Sequence, residues 1–166
     1  MKTNKMLLFI PFVALVLTSC DPSSFRFKYN ELNGDVVKVE LINYENNNQK
    51  HYATWVPDYY NDLLRFENDN ATTLKILEDD LVDSFIRQLC SYRLLYRYYA
   101  FNSPKGECIK MTHSNNDFTI IWCKTNSYSG YIGKYSSSGE VVDFYGCFES
   151  WDSYNSLLIT YFIEIE

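Results

Sequence analysis

The stretch ECIKMTHSNNDFTIIWCKT, Glu107 to Thr125, restricts the fold of this chain more than any other part of it. Apolar and polar residues alternate on both sides of Asn115-Asn116, the pattern of two antiparallel strands joined by a tight turn. A two-residue loop at Asn115-Asn116, or a four-residue loop from Ser114 to Asp117, sets Cys108 directly opposite Cys123. In that register Ile109 and Met111 share a face with Phe118, Ile120 and Trp122, and this face is expected to meet a helix. Cys108, Lys110 and Thr112 then share the other face with Thr119, Ile121 and Cys123.

The helix is predicted over residues 79 to 92, within EDDLVDSFIRQLCSYRLL. There the period changes: Leu81, Phe85, Leu89 and Tyr92 fall on one stripe, with Val82 and Ile86 beside it. Asp79 or Asp80 can cap its start, and acids in the first turn suit the helix dipole. TTLKIL, just before it, reads as a strand. A second hairpin is predicted in GYIGKYSSSGEVVDFYG, turning near Ser137 to Gly139. A short C-terminal helix is predicted over about residues 151 to 162, with Ser150 as its cap and Tyr154, Leu157, Leu158 and Tyr161 as its stripe.

Near the front, Phe25, Phe27 and Tyr29 alternate, as do Val37, Val39 and Leu41. A three-residue loop, Leu32-Asn33-Gly34, pairs Phe27 with Val39 and Tyr29 with Val37, and it gives glycine the position that needs a positive φ. The competing reading makes YNEL one helical turn before a single strand. Between these regions, His51 to Asn70 is the least legible stretch, either a short helix opened by Pro57 or an irregular loop. YRYYAFN, after the main helix, is expected to be extended. The elements together predict an α+β fold, an antiparallel sheet of hairpins covered on one face by the main helix and the short C-terminal helix.

The first 20 residues carry a different message. Lys2 and Lys5 precede an apolar run of twelve residues, Met6 to Leu17, broken only by Pro11. Crossing a bilayer as a helix takes about 20 residues, so the run is too short to span. A basic start, a short apolar middle and small residues before a cut are the layout of a secretory signal peptide. Leu17-Thr18-Ser19-Cys20 resembles the lipobox of bacterial lipoproteins. That resemblance implies cleavage before Cys20 and attachment of a diacylglycerol to its thiol, with palmitate-type chains holding the protein on the cell membrane or outer membrane. Each buried methylene contributes about 0.8 kcal/mol, so one chain holds marginally and two or more hold stably. The expected organisation is a signal peptide over 1–19, the lipidated cysteine and a short tether over 20–24, and a single domain over 25–166.

Without residues 1–19, 13 basic residues face 21 acidic ones. An acidic domain does not suit nucleic acid, which needs clustered Lys and Arg, nor a polybasic grip on anionic lipid. Aromatic residues are dense, with 15 Tyr, 11 Phe and 3 Trp. They fit half-buried strands, and they also fit a surface that binds a protein or glycan partner in the envelope.

Export permits disulfides. Cys108 and Cys123 are the candidate pair, because a non-hydrogen-bonded pair in the register above brings their Cα atoms to about 4.5 Å. The alternative is four free thiols, Cys90, Cys108, Cys123 and Cys147, packed as small apolar groups. Cys90 is expected on the helix side of the sheet and Cys147 on the other. His51 and His113 belong to no metal-binding pattern, and His113, at a hairpin tip, is expected to be solvated. Glu67 to Asn70 reads as a polar turn, and Glu78, Asp79, Asp80 and Asp83 read as helix-start acids. No catalytic residue, metal or cofactor is expected. The leading functional expectation is a lipid-anchored, non-catalytic interaction module. The alternatives are an envelope hydrolase with a scattered carboxylate site, and a passive inhibitor or structural component of the envelope.

Overall fold

The computed structural model describes residues 24–45, 66–95, 104–123, 130–150 and 152–163, without the side chains of 143–145. Strands β1 (Ser24–Phe25), β2 (Val36–Tyr44), β3 (Ala71–Ile76), β4 (Leu94–Leu95), β5 (Gly106–His113), β6 (Phe118–Cys123), β7 (Gly130–Tyr135) and β8 (Val141–Phe148) form one sheet. Helices α1 (Tyr29–Leu32), α2 (Asp79–Ser91) and α3 (Ser153–Tyr161) complete the fold. The sheet order is β1-β4-β8-β7-β6-β5-β2-β3, and every described pair is antiparallel. This is the α+β class expected from the sequence, with α2 and α3 packed over one face.

That face holds the larger core. Val39, Leu41, Ile109, Met111, Ile121 and Ile132 of the sheet pack against Phe85, Ile86 and Leu89 of α2 and Leu157 of α3. Each such side chain taken from water contributes roughly 1.5–3 kcal/mol. The two helices are also joined by polar contacts. The Gln88 amide donates to the Ser156 hydroxyl at 3.1 Å, and the Ser84 and Tyr161 hydroxyls lie 3.0 Å apart. The Tyr154 hydroxyl donates to the Glu107 carbonyl at 2.7 Å and ties α3 to β5. Gly130 makes this close packing possible, because a Cβ there would stand 2.8 Å from both Phe148 and Tyr154.

The first predicted hairpin does not form. YNEL is the helical turn α1, and Phe25 pairs instead with Leu94 of β4. The reason lies in β2, whose two edges are taken by β3 and β5. Gly34 is not among the positive-φ glycines, so the turn imagined for it is absent. The alternation sets Val37 on one face with Val39 and Leu41, yet those two are buried and Val37 is 61% exposed. The register of β2 against β5 shifts between Val36 and Lys38, which leaves Val37 as the extra, outward residue of a bulge.

The central hairpin forms in another register. Cys108 lies opposite Trp122, and Ile109 opposite Ile121. The loop has three residues, Ser114 to Asn116. His113 N–H donates to the Asp117 carbonyl at 2.8 Å, and Asn116 takes φ 67°. A type I turn closed by one left-handed residue is the common three-residue hairpin, and asparagine tolerates that position. Shifting the register by one residue turns every side chain of the second strand to the opposite face. Phe118, Ile120 and Trp122 therefore face away from the helices, where they join Ile42, Tyr44, Phe66, Cys108 and Tyr135 in a second buried cluster. The sheet thus buries apolar side chains on both faces. Phe66 stacks on Tyr44 with ring centroids 4.2 Å apart and donates its N–H to the Gly139 carbonyl at 2.8 Å.

The second hairpin turns as expected, with Gly139 at φ +83°. The stripe predicted for α3 is buried, but its N-cap is Asp152, and Ser150 contributes a backbone carbonyl to Ser153 N–H at 3.3 Å. The N-cap of α2 is Glu78, not Asp79 or Asp80, and makes no side-chain capping bond. The expectations for residues 1–23, 51–65 and 96–103 lie outside the described residues. No helix among the described residues is long and apolar enough to cross a membrane.

Candidate functional site

The most chemically suggestive group of side chains sits where the start of β2 meets the head of the β5–β6 hairpin. Val36 pairs with His113, so Asp35 arrives beside the loop, and Ser114 N–H donates to the Asp35 carbonyl at 2.7 Å. The Asp35 carboxylate accepts the Ser114 hydroxyl at 2.7 Å through Oδ1, and its Oδ2 stands 2.7 Å from His113 Nδ1. His113 Nε2 is 2.8 Å from the Thr119 hydroxyl. His113 and Thr119 are diagonal neighbours on one face of the hairpin, which is why their side chains meet.

The protonation pattern follows from which atoms can donate. The Ser114 hydroxyl bond, with help from His113, holds the Asp35 carboxyl below the usual carboxylate range. Burial pushes His113 below its ordinary value, against the pull of Asp35. At neutral pH the imidazole is therefore neutral. A carboxylate only accepts, so the ring proton sits on Nδ1, and Nε2 accepts the Thr119 hydroxyl proton. Carboxylate, imidazole and hydroxyl in this order are the parts of a nucleophilic hydrolase relay.

Access argues for another role. His113 and Thr119 are each 2% exposed, and only the Asp35 side chain, at 36%, reaches water. A nucleophile must touch a substrate carbonyl, and this hydroxyl is buried on the second residue of β6. The arrangement acts as a polar strut that satisfies a buried histidine and fastens the hairpin head to β2. His113 is thus not the solvated tip residue expected from the sequence. The three-residue loop carries it inward at the end of β5.

The candidate disulfide is corrected by the same register. Cys108 faces the second cluster and Cys123 the helix-side core, so the two thiols lie on opposite faces and do not form a disulfide with each other. The Cys108 thiol donates to the Gly106 carbonyl at 3.5 Å, and burial pushes its pKa up to about 12. Such a thiol is a packing group and not a nucleophile. Cys90 packs against the helix-side core as expected, and Cys147 pairs with Tyr131 on the other side. Cys20 and His51 lie outside the described residues.

Two further polar groups stand at the surface. Tyr29 of α1 bonds Asp83 of α2 through its hydroxyl. Arg87 donates to Asp83 at 2.7 Å and lies over the Tyr29 ring at 4.2 Å. Arg87 holds the Asp83 carboxyl below its usual range. This clip fixes α1 to α2, and Asp83 is thereby explained. On the second face, Lys110 sits 4.7 Å above the Phe118 ring and donates to Asn68 Oδ1 at 2.7 Å. Glu67 to Asn70 form the expected polar turn, closed by the Asn70 amide donating to Glu67 at 2.8 Å. No cluster of three or more His, Cys, Asp or Glu suited to a metal occurs among the described residues.

The sequence singled out none of Asp35, Ser114 and Thr119. The one signal was the SNND loop, where an asparagine suited to the left-handed position offered an odd-length turn. No protein-family model matches this chain, and no curated protein or solved structure matches it either.

Proposed function

We propose that this protein is a lipid-anchored component of a bacterial cell envelope. Cys20 carries the lipid, and the single α+β domain works as a non-catalytic interaction module held close to the membrane. The observation that carries the reading is Leu17-Thr18-Ser19-Cys20 at the end of a twelve-residue apolar run, and the place where the chain enters the sheet sets how the domain would stand on such an anchor. Strand β1 begins at Ser24 and lies at one edge. Only Asp21, Pro22 and Ser23 separate it from Cys20, so the anchor and that edge stand within about 14 Å of chain. Such a tether holds the β1 edge against the bilayer and turns the β3 edge away from it. The sealed relay at His113 supports a binding role over a hydrolytic one.

Fractionation tests the anchor. The wild-type protein stays in the membrane fraction through a high-salt wash and moves to detergent, and a Cys20→Ser variant does not acquire the lipid. Salt-released wild-type protein would contradict the reading.

One observation favours a hydrolase instead, the ordered Asp35–His113–Thr119 contacts. A fluorophosphonate probe that labels wild type but not Thr119→Val would establish that reading, and we expect no labelling of either.

A further inference from the structure

We infer that the β3 edge is the partner-binding surface, and that it takes an extended peptide segment of a partner as an added strand, with lysine or arginine at both ends of that segment. The inference deepens the proposed function and rests on it for orientation only.

Among the described residues β3 is the last strand of the sheet, at the opposite end from β1. With neighbouring strands about 4.8 Å apart, the seven steps from β1 to β3 amount to about 34 Å along the sheet. A domain held by its β1 edge therefore presents β3 outward. The bonding of β3 to β2 shows which of its groups point away from β2. Glu45 N–H donates to the Asn70 carbonyl at 3.0 Å, and Leu77 N–H donates to the Val39 carbonyl at 2.9 Å. Residues 70 and 77 are thus bonded inward. In an antiparallel pair the inward and outward positions alternate, so Thr72 and Lys75 also bond β2. Ala71, Thr73 and Ile76 direct their N–H and C=O groups outward. The register shift opposite Leu41 and Ile42 makes Leu74 the extra residue of a bulge.

Edges of this kind are usually guarded by charged side chains. Here Leu74 is 51% and Ile76 52% exposed. The one cation of the strand, Lys75, lies on the helix side and donates to the Phe162 carbonyl at 3.4 Å. Acids bracket the strand instead. Glu67 and Asp69 precede it, and Glu78, Asp79 and Asp80 follow it, all exposed.

Two features decide what fits. A second copy of the chain pairing antiparallel through β3 would set Asp69 of one copy near Glu78 to Asp80 of the other, and like charges in register repel. The bulge twists the edge, which a rigid second sheet cannot follow and a flexible peptide can. The fitting occupant is a short extended segment, uncharged in the middle and cationic at both ends. Main-chain bonds would supply its affinity, and the acid brackets its placement.

The test uses the full processed protein, 15N-labelled, in detergent micelles. Its lipid is verified by mass on the same sample. The probe is a pool of nine-residue peptides with two lysines at each end and Thr, Val, Ile or Tyr at the five central positions. The expected result is slowing of amide exchange by at least tenfold at Ala71, Thr73 and Ile76, with Thr72 and Lys75 unchanged. A pool with glutamates at the ends should not do this. Thr73→Pro, which removes an outward N–H and leaves the ladder to β2 intact, should abolish the response to the lysine pool. Absent protection with the lysine pool at millimolar concentration overturns the inference, as does equal protection by the glutamate pool. Protection that rises with protein concentration alone also overturns it, in favour of a second copy. A lipidated protein whose β3 amides stay in fast exchange refutes strand addition and leaves the anchor standing. An unlipidated protein with a protected β3 does the reverse.

Discussion

Cys108 of β5 lies opposite Trp122 of β6, so Cys123, the next residue, turns to the other face of the sheet. Two cysteines fifteen positions apart in a hairpin are thereby kept from meeting, although the compartment proposed for the domain permits disulfides. Alkylation under denaturing conditions, without reductant, is expected to label Cys90 and Cys108. Under native conditions Cys108 should react slowest, because its thiol is buried and its pKa is raised to about 12. Recovery of a Cys108–Cys123 disulfide peptide would contradict this register.

The loop that sets the register is open to a direct test. Asn116 takes φ 67°, where a β-branched residue is strained. Asn116→Val should cost roughly 1–2 kcal/mol, and Asn116→Gly should be neutral or mildly stabilising. Denaturant midpoints of the two variants check this. Equal stability of both would mean that the left-handed residue is elsewhere.

The buried strut predicts a pH response. His113 is held below its ordinary pKa of 6.5, so the folded state disfavours its protonation. Its contribution to stability is complete above pH 6.5 and declines as pH falls through the folded value. Asp35, also depressed, contributes above its ordinary 3.8 and loses that contribution at lower pH. Unfolding midpoints should therefore fall between pH 7.5 and pH 5, and less so in His113→Gln. A midpoint that rises over this interval would overturn the assignment. Thr119→Val, which leaves Nε2 without its donor, should cost about 1–3 kcal/mol at pH 7.5.

The turn between β7 and β8 meets the second cluster at Gly139, whose carbonyl accepts the Phe66 N–H at 2.8 Å. A Cβ on Gly139 would stand 1.9 Å from the Phe66 carbonyl oxygen, and its φ of +83° disfavours any side chain. Gly139→Ala should cost about 2–4 kcal/mol by displacing Phe66 from Tyr44 and Phe118. Thermal unfolding checks the cost. Loss of near-ultraviolet dichroism, with the far-ultraviolet signal kept, would locate it in the aromatic cluster.

What the sequence disclosed follows from how local each signal is. Phe85, Ile86 and Leu89 of α2, the two later hairpins and the stripe of α3 repeat within a few residues, and periodicity alone finds them; Leu81, placed on the same α2 stripe, is 39% exposed. The path of Phe25 to Tyr29 was misread because alternation there is shared between a two-residue strand and a helical turn. Which partners β2 takes is a long-range choice that no local pattern reports. The faces of β6 were lost through one residue of loop length, since a period of two carries the error to every side chain beyond it. The second buried cluster and the Asp35–His113–Thr119 contacts both depend on that register, so both were hidden together.

The claim on which the account stands is that Cys20 bears the lipid that holds the β1 edge at a membrane. Intact-mass measurement of the protein extracted from bacterial membranes tests it most directly, with Cys20→Ser beside it. The account predicts a wild-type chain lacking residues 1–19 and heavier than the bare Cys20–Glu166 polypeptide by a diacylglyceryl group or more, with no such species from the variant. A wild-type chain that retains Met1, or one that begins at Cys20 without added lipid mass, would contradict it.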